Sequence, residues 1–217
     1  MIVADSSSLI SIALNCMSGV FQELGVKVLV TPAVYDEVVT RPSGSRKYAL
    51  EALRIKKLFS DGVLSTLEAD QKVTEKILAL SNSVFEVRGK ALKIIHKGEA
   101  EALALVKIFG ADALLIDERT TRLVVENPKS LKNFLSDRAK SNVKINSSRL
   151  DELSSYVPSV PVIRSTEIVA YAYERGILDR MLNASGKNVL NASLSALKFS
   201  GCAITWDEID EYLRIVG

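Results

Sequence analysis

Residues 97–122 read KGEAEALALVKIFGADALLIDERTTR. Apolar positions dominate residues 102–109 and 113–116, so the stretch predicts a helix over 98–109, a buried strand over 113–116 and a second helix from about Thr120. Acids stand at both ends of this unit. Glu99 and Glu101 occupy the first helical turn, and Asp117 and Glu118 follow the strand directly.

The same alternation extends through the chain. IVA (2–4) reads as a strand before the helical run LISIALNCM (9–17), and VKVLV (26–30) as a second strand. Thr31-Pro32 opens the next helix, with threonine as cap and proline in the first turn. A basic helix over 44–58, a short strand in 61–66 and two helical stretches over 68–96 precede the opening stretch. VPVI (160–163) is the fifth strand, followed by a helix over 165–176 and two closing helices, the last with the capping box Thr205-Trp206-Asp207-Glu208. Short apolar strands alternating with helices predict an α/β fold: a three-layer α/β/α arrangement, its central sheet mostly parallel and about five-stranded, with extra C-terminal helices. At 217 residues the chain has the length of one domain, 1–217, with a basic insertion at about 128–157.

Parallel α/β sheets build their sites at the carboxyl ends of the strands. Asp5 ends the first strand and Asp117, with Glu118, ends the fourth. The helix after the second strand carries Asp36 and Glu37, and Glu37 lies four residues after Ala33 and three after Val34, on a face with apolar residues. Taken singly, each acid has an ordinary explanation. Asp5 can cap the helix that follows it, Asp117 can cap the helix near Thr120, and Glu99 and Glu101 suit the positive end of a helix dipole. Asp36 and Glu118 read as solvated or as neighbours of the ligands.

Together they are harder to dismiss. Two carboxylates about 5 Å apart repel by roughly 3 kcal/mol at an effective dielectric of about 20. A cluster therefore calls for a cation, and oxygen-only donors suit Mg²⁺ or Mn²⁺. Such a site polarises a phosphodiester and activates water.

These residues resemble the PIN-domain family of metal-dependent ribonucleases. The resemblance rests on VADSSSLISI with Asp5, Ser6 and Ser7, on TPAVYDEVV with Glu37, and on GEAEALALVKIFGADALLIDERTTR, similar to the Gly-Glu-x-Glu-Ala helix and Leu-Ile-Asp-Asp/Glu-Arg segment of prokaryotic PIN proteins. It implies an endoribonuclease that hydrolyses RNA phosphodiester bonds. Asp5, Glu37, Asp117 and one or both of Glu99 and Glu101 would bind one or two Mg²⁺ or Mn²⁺ ions. Glu99 and Glu101, two residues apart on a helix, point about 200° from each other, so at most one is expected as a direct ligand. Ser7 matches a hydroxyl residue that orients the first aspartate. Arg119 and Arg122 match basic residues that face phosphate, and Glu118 stands where many relatives have a second aspartate. Homodimers are common in the family. The resemblance also leaves open a toxin held by an antitoxin or other protein partner, and an RNA-processing enzyme.

Two stretches exceed the compact members, at about 66–96 and about 128–157. The second holds, over 128–149, Lys129, Lys132, Arg138, Lys140, Lys144 and Arg149 against one acid, Asp137. Phosphate contacts and a solvated loop both fit it, and only Phe134 could stack a base.

Composition excludes other classes. With 47% hydrophobic and 25% charged residues the chain is globular rather than disordered, and a net charge of +2 confines nucleic-acid affinity to local patches. Cys16 and Cys202 read as a buried, reduced pair, and one histidine, His96, does not support a structural zinc site. MIVAD lacks the features of a secretory leader and no apolar run approaches a membrane span, so a cytoplasmic location is expected. A phosphoacceptor receiver domain would need a lysine after the fifth strand, where Arg164 stands, and a haloacid-type phosphatase would need Asp-x-Asp where DSS stands. A non-catalytic PIN-like module that binds RNA or protein is the alternative; it would tolerate Asn, Ala or Ser at positions that here are all acids.

Overall fold

The computed structural model describes residues 1–157 and 159–216. Among them are eight strands: β1 (Ile2–Ala4), β2 (Val28–Val30), β3 (Leu64–Thr66), β4 (Phe85–Val87), β5 (Lys90–Ala91), β6 (Ala113–Leu115), β7 (Val143–Ile145) and β8 (Val162–Ile163). Five form a parallel sheet in the order β3-β2-β1-β6-β8. β1 and β6 are buried at every residue, as strands covered on both faces must be.

The alternation of side chains along these strands divides the core in two. Ile2, Ala4, Ala113 and Leu115 face one cluster, which the helices Ser6–Leu14, Ser165–Glu174 and Lys187–Phe199 complete. Val3, Leu114 and Ile116 face the other, packed on the helices Gln71–Ser81 and Lys97–Phe109. This is the three-layer α/β/α fold with a five-stranded parallel sheet expected from the sequence. The chain leaves β1 toward β2 on one side and pairs β6 on the other, so the strand order reverses between β1 and β6. Ligand sites of open α/β sheets lie at that crevice. Among the described residues, no helix is long and apolar enough to cross a membrane.

Some elements differ from the sequence reading. The basic helix starts later, at Ala49–Ser60, after a short turn Arg41–Ser43. Residues 68–96 hold one helix, Gln71–Ser81, and the hairpin β4–β5, not two helices. Arg88 and Gly89 supply the hairpin turn with φ of 51° and 76°, the double positive φ that a two-residue connection requires. Three helices rather than two follow residue 176: Ile177–Leu182, Lys187–Phe199 and Trp206–Ile215. Cys202 is buried, whereas Cys16 is exposed, so the two free thiols are not a buried pair.

The basic stretch is ordered secondary structure. Asn127 caps a helix Pro128–Ala139, β7 follows, and Asn146 caps a helix Ser147–Tyr156. β7 pairs antiparallel with β4, giving an accessory sheet of order β5-β4-β7. The two stretches that stand out as added length thus meet in one small sheet.

Candidate active site

Asp5 leaves β1 beside the end of β6, and its backbone N–H donates to the Leu115 carbonyl at 3.0 Å. The carboxylate caps the helix Ser6–Leu14: Oδ2 accepts from the Ser7 amide at 3.2 Å and from Ser7 Oγ at 2.8 Å. Ser7 Oγ in turn accepts from the Asp117 amide at 3.3 Å. One hydroxyl therefore ties the two strand tips together. Only 7% of Asp5 is exposed, and burial raises its carboxyl pKa; the Ser7 hydrogen bonds oppose the shift and the charge of Glu37 adds to it.

Glu99 is the third residue of the helix Lys97–Phe109, and Oε2 accepts from the His96 amide in a capping box. Its pKa is also raised, first by burial, then against the His96 hydrogen bond by the charges of Asp5 and Glu118. Glu118 caps the helix Arg119–Glu126, Oε2 accepting from the Thr121 amide at 2.6 Å. That cap displaces Asp117 from the role the sequence offered it. Asp117 instead caps a helix 48 residues away: Oδ1 accepts from the Ser165 amide and Oδ2 from Ser165 Oγ, both at 2.7 Å. Asp117 is 3% exposed.

Glu37 is exposed, not on an inward face. Residues Asp36–Thr40 form a π-helical turn whose buried face carries Val38 and Val39 and leaves Glu37 exposed. Its charge nonetheless acts on Asp5. Asp36 pairs with Arg41 at 2.6 Å. Glu101 turns away from Glu99 into another cleft beside Pro32 and Ala33, with Lys97 Nζ at 3.5 Å and its buried Oε2 without a hydrogen-bond partner. Arg119 stacks on Phe134 with its guanidinium carbon 4.6 Å from the ring centroid, and Arg122 lies 3.7 Å from Glu126.

The charge of Glu37 thus bears on Asp5 and the charges of Asp5 and Glu118 on Glu99, while Ser7 links Asp117 to Asp5. Among the described residues, no three acidic, histidine or cysteine side chains stand close enough to form a ready metal cage.

A family model described as a PIN domain matches residues 1–129, more than half of the chain. The chain belongs to the PIN-domain family. PIN domains are nuclease-type modules that typically use divalent metal ions. The matched region carries Asp5, Glu37, Glu99, Glu101, Asp117 and Glu118, together with four of the five strands of the central sheet. No curated protein and no solved structure gives a significant match.

The chemistry of the candidate donors in this PIN domain suits a hard cation. They are carboxylate oxygens throughout, and burial, with the neighbouring Asp117 charge, pushes the Cys202 thiol up to about 12, so that it stays protonated and is no soft ligand at neutral pH. Acids whose ionisation is disfavoured by burial and by one another are what a bound cation neutralises.

Sequence reasoning used Arg164 only to set aside a receiver domain and gave neither it nor Ser165 a role at the site. Burial works against the Arg164 charge, but Glu167 and Glu208, at 2.7 and 2.9 Å, outweigh it and raise its pKa. The rule that led to Asp5 and Asp117, reading the residues just after each strand, points to both, since they follow β8.

Proposed function

We propose that this PIN domain is a metal-dependent endoribonuclease that hydrolyses RNA phosphodiester bonds with Mg²⁺ or Mn²⁺. The observation that carries the reading is the tie between Asp5 and Asp117 through Ser7 at the β1–β6 crevice, with the charges of Glu37 and Glu99 bearing on Asp5. Asp5, Glu37 and Asp117 hold the ion, with Glu99 as the member of the Glu99/Glu101 pair that faces Asp5. A bound divalent ion supplies Lewis-acid polarisation of the phosphodiester and a nucleophilic water. Ser7 orients Asp5, and Ser165 fixes Asp117 through one hydrogen bond to each oxygen, which leaves further lone pairs free. Arg119 and Arg122 serve this site only after leaving Phe134 and Glu126.

The test is cleavage of a labelled single-stranded RNA with Mn²⁺. Wild type should cut internally, and Asp117→Asn should lose at least about a hundredfold in rate. Equal rates in the two proteins would remove Asp117 from the site. A non-catalytic RNA- or protein-binding module is the second reading. The engagement of Asp5, Glu99, Asp117 and Glu118 as helix caps favours it, and RNA bound but left intact by wild type in Mn²⁺ would establish it.

Metal binding also makes a thermal prediction. The pKa values of Asp5 and Glu99 are raised in the fold, so their contribution to stability is present below the ordinary carboxylate range and lost as pH rises through the folded values. Mn²⁺ should restore it at neutral pH. At about ten times the dissociation constant the gain is roughly 1.4 kcal/mol, a Tm rise of about 3–5 °C. The rise should shrink toward pH 4, where protons compete for the same oxygens. A differential scanning fluorimetry series with equal shifts at pH 7.5 and pH 4.5, or none at either, would count against a carboxylate site.

A further inference from the structure

A cleft of about 550 Å³ opens beside the candidate metal acids. Glu99 and Glu118 line it together with Lys93 and Arg138, and Leu92 and Leu135 contribute apolar surface. The two cations come from the two added stretches: Lys93 follows β5, and Arg138 lies in the last turn of the helix Pro128–Ala139. The accessory sheet holds these stretches together, because β7, reached from that helix, pairs with β4. Both cations are exposed and neither has an ion-pair partner among the described residues. Phe134 lies one helical turn before Arg138, and Arg119 stacked on it adds a third positive charge to this side.

A chain with a net charge of +2 gains little long-range attraction for a polyanion, and a carboxylate site repels one. Lys93 and Arg138, which line the same cleft as Glu99 and Glu118, offset that repulsion. The volume falls within the roughly 300–1,000 Å³ of small-ligand sites, and the apolar floor suits a base more than an extended acidic peptide.

We propose that this cleft is a subsite for the nucleotide adjoining the scissile bond of single-stranded RNA, with its phosphate on Lys93 and Arg138 and its base over Leu92 and Leu135. The proposal rests on the nuclease reading for the role of Glu99 and Glu118, and gives the accessory sheet a function: it holds together the two stretches that carry Lys93 and Arg138.

The test separates binding from cleavage. Fluorescence anisotropy with a labelled oligouridylate in millimolar Mg²⁺ is measured for Asp5→Asn, which removes turnover, and for Asp5→Asn carrying Lys93→Glu and Arg138→Glu. The doubly reversed protein should bind roughly tenfold or more weakly at low salt, and the slope of log K against log salt should fall by about 0.7, the contribution of the one phosphate that Lys93 and Arg138 share. Asp5→Asn with Lys187→Glu and Arg175→Glu, exposed positions in the opposite helical layer, should retain both affinity and slope. Circular dichroism checks that the variants fold. Equal weakening by the two charge-reversed proteins would reduce the effect to net charge and overturn the subsite. So would unchanged affinity after Lys93 and Arg138 are reversed, or no binding by Asp5→Asn. Loss of binding confined to the Lys93/Arg138 variant, with a wild type that never cuts RNA in Mn²⁺, would keep the subsite and refute the nuclease reading.

Discussion

Replacing Asp5 by asparagine is expected to abolish RNA cleavage while making the metal-free protein more stable than wild type. On the proposed reading Asp5 is both a helix cap and a metal ligand, and the substitution separates the two roles. As a helix cap it needs only a side-chain oxygen to accept from the Ser7 amide and hydroxyl, and asparagine caps about as well as aspartate. As a ligand it needs a negative charge, and the loss is expected to cost on the order of a thousandfold in rate. The charge is also unfavourable in the metal-free protein: burial and the Glu37 charge both disfavour its ionised form, and it raises the pKa of Glu99 in turn. Its removal should therefore return on the order of 1 kcal/mol, at an effective dielectric of about 20 and with Glu37 screened by solvent, which is a Tm rise of roughly 2–4 °C. Asp5→Ala is the control. It removes the same charge but also the cap, worth about 1 kcal/mol, and should show little or no gain. Both variants should lose most of the thermal response to Mn²⁺. If Asp5→Asn melts no higher than wild type in the metal-free state while Asp5→Ala melts lower, and Mn²⁺ shifts all three proteins alike, Asp5 is a structural cap and nothing more.

Much of the architecture is legible because short apolar runs have few alternatives. IVA, VLV and ALL became β1, β2 and β6, and pairing β1 with both of the others follows from the parallel rule and from burial on both faces. Asp5, Glu99 and Asp117 were legible as positions for a similar reason: each stands next to an element boundary that the local pattern fixes. Their partners were not. Glu37 was placed inward by counting from Ala33 and Val34, but the buried face runs through Val34, Val38 and Val39 and leaves Glu37 at its exposed edge. The hairpin β4–β5 was hidden because Arg88, not Asn or Asp, supplies the first positive φ before Gly89. β7 gives three residues of pattern, Val143–Ile145, and its pairing with β4 spans too much sequence for local propensity to register. The hold of Ser165 on Asp117 crosses 48 residues and is purely tertiary. The separation of Glu99 from Glu101, by contrast, follows from helix geometry, since residues 200° apart cannot share a cleft unless the helix end itself points into it.

Arg164→Ala should give a large stability loss, and its pH dependence should run opposite to that of the metal acids. Arg164 is 9% exposed at its side chain, donates to Glu167 and Glu208 at 2.7 and 2.9 Å, and reaches the Ala203 carbonyl at 3.3 Å. It thereby ties the helix Ser165–Glu174 to the start of the helix Trp206–Ile215, with Tyr212 closing the network on Glu167 at 2.7 Å. Breaking a buried pair costs about 3–5 kcal/mol when the remaining charge is stranded. Glu167 and Glu208 keep 36% and 37% side-chain exposure and can rehydrate, so about 2–3 kcal/mol is expected here, a Tm loss of roughly 4–12 °C. Burial raises the pKa of each glutamate, but for Glu167 the Arg164 and Tyr212 hydrogen bonds outweigh it, and for Glu208 the Thr205 amide and Arg164 do, so both folded values lie below the ordinary one. A lowered carboxyl pKa contributes stability above the unfolded value, near 4.5, and loses it as pH falls through the folded value. The difference between wild type and Arg164→Ala should be full at pH 7 and shrink below about pH 4. Over the same range the wild type regains what repulsion at Asp5 and Glu99 cost it, so the two networks pull the acid limb in opposite directions. Measuring Arg164→Ala, Asp5→Asn and the double variant across pH 3–8 separates them. Arg164→Ala should also slow cleavage, because residue 164 precedes the serine that fixes Asp117. A stability loss with unchanged cleavage would confine Arg164 to the architecture, and a pH-independent loss would mean that the ion pairs are not what the substitution removed.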